Sequence, residues 1–111
     1  MITELYKGDA INLRSTLGIP ISGWKIRAEI WDSTGHFIKK ATANSGGSDA
    51  EIQITNATTG VIVIYINTGE TAAFDDTANY EVEAETLTGQ VYTVVRDGIM
   101  FDPEKIDWTT P

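Results

Sequence analysis

The fold is decided by the stretch Trp24-Lys25-Ile26-Arg27-Ala28-Glu29-Ile30-Trp31. Apolar residues occupy every second position, and the positions between them hold three charged residues and Trp31. A period of two is typical of a β-strand that buries one face and exposes the other. This stretch therefore predicts a half-buried strand with Trp31 on the charged face.

The same alternation recurs at residues 80–85, 51–55 and 10–14. In 80–85 it predicts an inward row of apolar residues and an outward row of glutamates. Two further runs are more continuously apolar. Val61–Ile66 is β-branched and aromatic, which predicts a strand that is covered on both faces or lies at an oligomer contact. Residues 90–101 form the second run, where Asp97-Gly98 indicates a bulge or a turn.

Turn residues separate these runs. Residues 32–35 predict a hairpin, 44–49 a flexible loop and 56–60 another turn. Residues 68–74 break the alternation and predict one helical turn capped by Thr68 or Thr71. Seven or eight short strands at this spacing are typical of a β-sandwich or a small barrel. Of these we expect an all-β, antiparallel, immunoglobulin-like β-sandwich. We expect it to occupy residues 1–102, with an extended C-terminal tail at 103–111.

Composition limits the function further. The chain has 111 residues, which is the size of one domain, and no cysteine, which excludes disulfides and thiolate metal sites. Its formal net charge of -8 disfavours binding to nucleic acid and to anionic membranes. We also expect no signal peptide and no membrane span, because no apolar run reaches the required length.

The residues give little sign of catalysis. His36 is the only histidine and no Gly-x-Ser-x-Gly motif is present, so we expect an ordinary exposed strand histidine and no enzyme activity. Glu81, Glu83 and Glu85 predict a solvated sheet face. A surface for a basic protein partner and a pair of hydrolytic carboxylates are the alternatives. We expect no cofactor and no metal.

The aromatic residues divide into two groups. Trp24, Phe37, Tyr65 and Tyr80 fit core or sheet-packing positions. Trp31 and Trp108 fit interface anchors, tryptophans that cover an end of the sandwich, or a carbohydrate platform.

The order of the turns and strands is similar to that of a known family. The pieces that carry the resemblance are, in chain order, Gly8-Asp9, Pro20, Gly23, Trp31-Asp32, Ser33-Thr34-Gly35, residues 54–63, 68–74, 79–84, 89–93 and 96–101. Together they cover about residues 5 to 102. The chain resembles the immunoglobulin-like domains of tailed-phage virion proteins, and most closely in pattern the N-terminal domain of phage baseplate upper proteins.

The resemblance implies a non-enzymatic structural protein of a phage or prophage particle, in the tail, the baseplate or a head-associated layer. Such a protein would be assembled in the bacterial host cytoplasm and would contact copies of itself and other virion proteins. The residues we expect at these contacts are Val61, Val63, Tyr65, Trp31, Ile106 and Trp108. The alternative function is a carbohydrate- or surface-binding module.

Overall fold

The computed structural model describes residues 2–6 and 10–102, and within them it contains eight strands and one short α-helix. The strands are β1 Ile2–Tyr6, β2 Ile11–Thr16, β3 Lys25–Asp32, β4 Phe37–Ala41, β5 Ile52–Asn56, β6 Val61–Ile66, β7 Thr77–Glu85 and β8 Val91–Asp102. Helix α1 spans Thr68–Ala72, and a 3₁₀ turn spans Ala43–Ser45. The predicted tail at 103–111 lies outside the described residues.

The strands form two sheets. The larger has the order β1-β8-β7-β3-β4 and the smaller the order β2-β6-β5. All described pairings are antiparallel except that of β1 with β8, which is parallel. The expectation of a purely antiparallel fold was therefore wrong at β1. The segment Ile2–Tyr6 has no clear alternation, so its strand was not visible in the pattern.

The two sheets pack face to face around one apolar core. Ile26 and Ile30 of β3 are completely buried, as are Ile62 and Ile64 of β6. Each such side chain contributes roughly 2 kcal/mol through removal from water. The alternation predicted for residues 24–31 and 80–85 is confirmed, and β6 is the central strand of the smaller sheet.

Strand β8 runs in regular register through Asp97-Gly98, so the bulge or turn predicted there was wrong. Both residues pair with β7, and Gly98 also pairs with the first residue of β1. The irregularity lies earlier, where the register changes between Val82 and Glu83 of β7 and leaves Val94 as an extra residue in β8. A bulge of this kind depends on the partner strand, which a single segment does not reveal.

The helical turn predicted at residues 68–74 is confirmed, but its cap is neither Thr68 nor Thr71. Asn67 is the N-cap: its Oδ1 accepts a hydrogen bond from the Glu70 amide at 2.9 Å, and Glu70 Oε1 accepts one from the Asn67 amide at 3.0 Å. This reciprocal capping box satisfies two amides at the start of the helix. Thr71 is instead buried, and its hydroxyl donates to the Thr68 carbonyl.

Candidate functional site

The outer surface of the larger sheet, here called the front face, is built by the outward residues of β3, β4, β7 and β8. Trp31 and Phe37 are cross-strand partners on it. Phe37 is 54% exposed and lies under the Lys39 ammonium, 5.6 Å from its ring centroid. Of the two positions expected for Phe37, in the core or packed on the sheet, the core was wrong, because the hairpin register turns Ile38 inward and Phe37 outward beside Trp31.

Charged side chains cover the rest of the front face. Glu85 lies 3.4 Å from Arg27 Nη2 and 3.8 Å from Lys25 Nζ, and Glu81 lies 3.9 Å from Arg96 Nε. The three glutamates of β7 therefore do face outward as predicted, but two of them meet cations of the same chain. Exposed pairs of this kind contribute little to stability.

The centre of the front face has an excess of carboxylates. Glu29 and Glu81 are direct cross-strand partners, and Glu83 is two residues further along β7. Neither Glu29 nor Glu83 forms an ion pair within residues 2–6 and 10–102. A depression of about 720 Å³ covers this region, and Trp31 and residues 45–47 also line it.

The outer surface of the smaller sheet, here called the rear face, carries Val61, Val63 and Tyr65 in one row. Val61 is buried within the chain, whereas Val63 and Tyr65 are partly accessible. The Tyr65 hydroxyl donates to Gln53 Oε1 at 3.2 Å. This narrow apolar row lies between polar side chains of the two neighbouring strands, β2 and β5. Asn12 and Arg14 are two of these polar residues.

The candidate interface residues do not form one surface. Trp31 lies on the front face, and Val61, Val63 and Tyr65 lie on the rear face, so the sandwich separates them. Ile106 and Trp108 lie outside the described residues.

Asp32 organises the hairpin between β3 and β4, at the turn that the sequence predicts at residues 32–35. Its Oδ1 accepts hydrogen bonds from the Thr34 hydroxyl, the Thr34 amide and the His36 amide, and its Oδ2 accepts one from the Asp75 amide. The bond from the Thr34 hydroxyl, followed by that from the Asp75 amide, lowers the pKa of Asp32 to about 2. One carboxylate thereby joins the hairpin to the segment after α1.

His36 is not the exposed strand histidine that we expected. It precedes β4, is half-buried, and packs edge-on against Phe74 with the ring centroids 4.5 Å apart. Its Nε2 is buried and has no hydrogen-bond partner in the described part of the chain. No nucleophilic side chain is therefore hydrogen-bonded to this nitrogen among those residues.

Lys40 and Glu70 form the least exposed ion pair among the described residues, with 2.7 Å between Nζ and Oε1. Burial raises the pKa of Glu70, but the Asn67 amide and the Lys40 ammonium more than offset this, so the net shift is downward. The pair ties α1 to β4. The spacing Asn67-x-x-Glu70 is a sequence signature of a capping box and could have revealed half of this arrangement.

Residues 2–6 and 10–102 contain no group of three or more His, Cys, Asp or Glu side chains placed to hold a metal ion. Among the same residues, no helix has the length and apolar character needed to cross a membrane. No protein-family model matches the chain, and no curated protein is significantly similar to it in sequence.

Proposed function

We propose that this chain is a non-enzymatic, immunoglobulin-like structural module of a tailed-phage or prophage particle. It acts through contacts with copies of itself and with other virion proteins in the tail, the baseplate or a head-associated layer. In this proposal the chain assembles in the host cytoplasm and ends in the virion.

The strand order supports the immunoglobulin-like part of the proposal. The order β2-β6-β5 corresponds to strands B, E and D of that fold, and β8-β7-β3 corresponds to G, F and C. Strand β4 then takes the place of the additional strand C′ of the variable type. These correspondences rest on connectivity, because loops and side chains differ freely among such sandwiches.

The observation that carries the proposal is the presence of accessible apolar side chains on opposite faces of one small sandwich. Trp31 and Phe37 lie on the front face, and Val63 and Tyr65 lie on the rear face. A subunit of a repeating particle must contact neighbours on more than one side, and aromatic residues are enriched at such contacts.

Copurification with particles tests the proposal. Particles from the producing host are purified by density gradient, and the copy number of this chain per particle is measured by quantitative mass spectrometry. We expect a fixed copy number that is a multiple of three or six, in line with the symmetry of tails. Recovery of the chain only in the soluble fraction would overturn the proposal.

A carbohydrate-binding role is the second candidate function, and the depression on the front face favours it. Trp31 offers a ring for stacking, and the Glu29 and Glu83 carboxylates have no ion-pair partner in the described part of the chain. Sugars are bound by this combination of a flat apolar surface and hydrogen-bond acceptors.

Tryptophan fluorescence across a panel of bacterial surface oligosaccharides tests the second candidate. Binding would change the emission of the wild type, and Trp31→Ala would remove that change. A Trp24→Phe variant is the control, because Trp24 is packed against the core. An unchanged spectrum with every saccharide would eliminate this candidate.

A further inference from the structure

The first half of β8 forms an edge of the larger sheet, and the name "open edge" is used here for its residues Val91–Arg96. Strand β1 pairs with β8 only from Gly98 to Asp102. Within residues 2–6 and 10–102, the preceding stretch Val91–Arg96 pairs with β7 on one side and with no strand on the other. Half of β8 is therefore an edge strand, with backbone groups directed away from the sheet.

This open edge carries apolar side chains, and its only charged residue is Arg96 at its end. Val91 is 49% exposed and Tyr92 is 51% exposed, and Leu87 in the adjoining turn is 76% exposed. Residues 86–95 contain no charged residue, although 22% of the whole chain is charged. Edge strands that remain in water are usually protected by charges, prolines or a bulge. Here the only such features are the bulge at Val94 and the charge of Arg96, and both follow Val91–Thr93.

The other edges of the described sheets differ from this one. Strand β4 has Lys39 and Lys40, and β2 has Arg14. Strand β5 is also uncharged, but its exposed side chains are polar: Gln53, Thr55 and Asn56. Among the side chains that the structure describes, only the β8 edge combines an uncharged stretch, residues 91–95, with two exposed apolar side chains in the strand itself.

Residues 103–111 by themselves reach only a small part of this edge. Residues 103–111 follow Asp102 and span at most about 30 Å when extended. The return from Asp102 to Arg96 alone requires about 20 Å, alongside the part of β8 that β1 already occupies. At most about three residues of the tail would remain to pair with the open edge.

Charge favours a second copy as the occupant. Two copies that each carry a net charge of -8 repel each other, so self-association is most favourable where no carboxylates are brought together. The open edge provides such a place. A basic partner would instead gain more from Glu29 and Glu83 of the front face, which form no ion pair with any residue that the structure describes.

We propose that the open edge of β8, Val91–Arg96, pairs antiparallel with the same edge of a second copy. The two larger sheets then form one continuous sheet across a two-fold axis. Leu87, Val91 and Tyr92 of both copies cover the junction. This inference deepens the proposed function and rests on it for the role of self-association. Six residues of edge make a contact at the low end of interface sizes, below about 1,200 Å² in total.

Analytical ultracentrifugation of the full chain across a wide concentration range tests the inference, together with amide hydrogen exchange at the two ends of that range. We expect a monomer–dimer equilibrium and at least a tenfold slower exchange in Val91–Arg96 at high concentration. Tyr92→Lys and Val91→Lys should each weaken dimerisation at least tenfold. Lysine at position 91 stands opposite Glu85, so this variant should remain folded.

Ile19→Lys is the matched control, because Ile19 is also an exposed apolar residue, at 43%, but lies in the loop between β2 and β3 and not on an edge strand of the larger sheet. It should dimerise like the wild type. Equal loss in Ile19→Lys and Tyr92→Lys, dimerisation that survives both β8 variants, or a monomer at every concentration would each overturn the edge pairing. None of these results alters the particle copurification experiment, so failure here is distinct from failure of the proposed function.

Discussion

The Asp32 carboxylate accepts four hydrogen bonds from three residues, Thr34, His36 and Asp75. The pKa of Asp32 is lowered from 3.8 to about 2, so ionisation of this group favours the folded state. Its contribution to stability is complete above about pH 4 and disappears as the pH falls to about 2. The spacing Asp-x-Thr suggests a local turn bond, but the bond from Asp75 requires the tertiary structure.

We therefore expect Asp32→Asn to unfold at a lower urea concentration than the wild type at pH 7. The carboxylate accepts four hydrogen bonds, whereas the NH2 group of an asparagine side chain can only donate and would face these donors without bonding to them. The difference between the two proteins should shrink between pH 4 and pH 2. Urea midpoints at several pH values measure it, with the exposed Asp49→Asn as control. A difference that stays constant down to pH 2 would show that the Asp32 charge is not responsible.

Gly60 holds a turn that only glycine fits. Its φ is +74°, and a Cβ there would lie 2.5 Å from the Ile19 carbonyl oxygen. The Gly60 carbonyl also accepts a bond from the Leu17 amide, so the turn cannot easily move away.

Gly60→Ala should lower the free energy of unfolding by about 2 kcal/mol or more, from backbone strain and the clash together. Gly35→Ala is the control: it shares the positive φ but has nothing within 4 Å of its Cβ position. Thermal unfolding of both variants separates the effect of backbone strain, which both share, from that of the clash, which only Gly60→Ala has. If they lose the same stability, the close approach to Ile19 contributes nothing.

At the scale of elements, the alternation of apolar and polar residues correctly predicted the strands that bury one face in the core and expose the other. Residues 24–31 and 80–85 behave as their patterns indicate, because each has one inward and one outward face. Phe37, β1 and the bulge at Val94 were not predictable in this way. Each depends on the register of a partner strand, and neighbouring positions such as Phe37 and Ile38 offer equally apolar choices.

The attachment of α1 to β4 gives a prediction at this scale. The Lys40 side chain is 11% exposed, and its removal leaves Glu70 half-buried without a counter-ion. Lys40→Met should destabilise the protein by about 1–3 kcal/mol. Lys25→Met, which removes a pair whose lysine side chain is 47% exposed, should cost less than about 0.5 kcal/mol. Similar urea midpoints for the two variants would refute a structural role for the Lys40 pair.

For the whole molecule, the sequence predicted which residues are candidates for contacts but not which of them lie together on one surface. The pattern placed Trp31 on an outward face and selected Val61–Ile66, but the packing of two sheets put these residues on opposite sides. The open edge of β8 was not predictable either, since it depends on how far β1 extends along its neighbour.

The net charge of the whole molecule predicts how salt affects self-association. Contact through the β8 edge, where residues 91–95 are uncharged, brings together two molecules with a net charge of -8 each, so salt screens their repulsion and strengthens the dimer. We expect the dimer dissociation constant to fall at least threefold between 0.02 and 0.5 M NaCl, with the Debye length decreasing from roughly 20 to 4 Å. Sedimentation equilibrium measures it, and Val91→Lys should show weak association at both salt concentrations. A dissociation constant that rises with salt would mean that ion pairs between copies hold the dimer together, which would contradict pairing through the β8 edge.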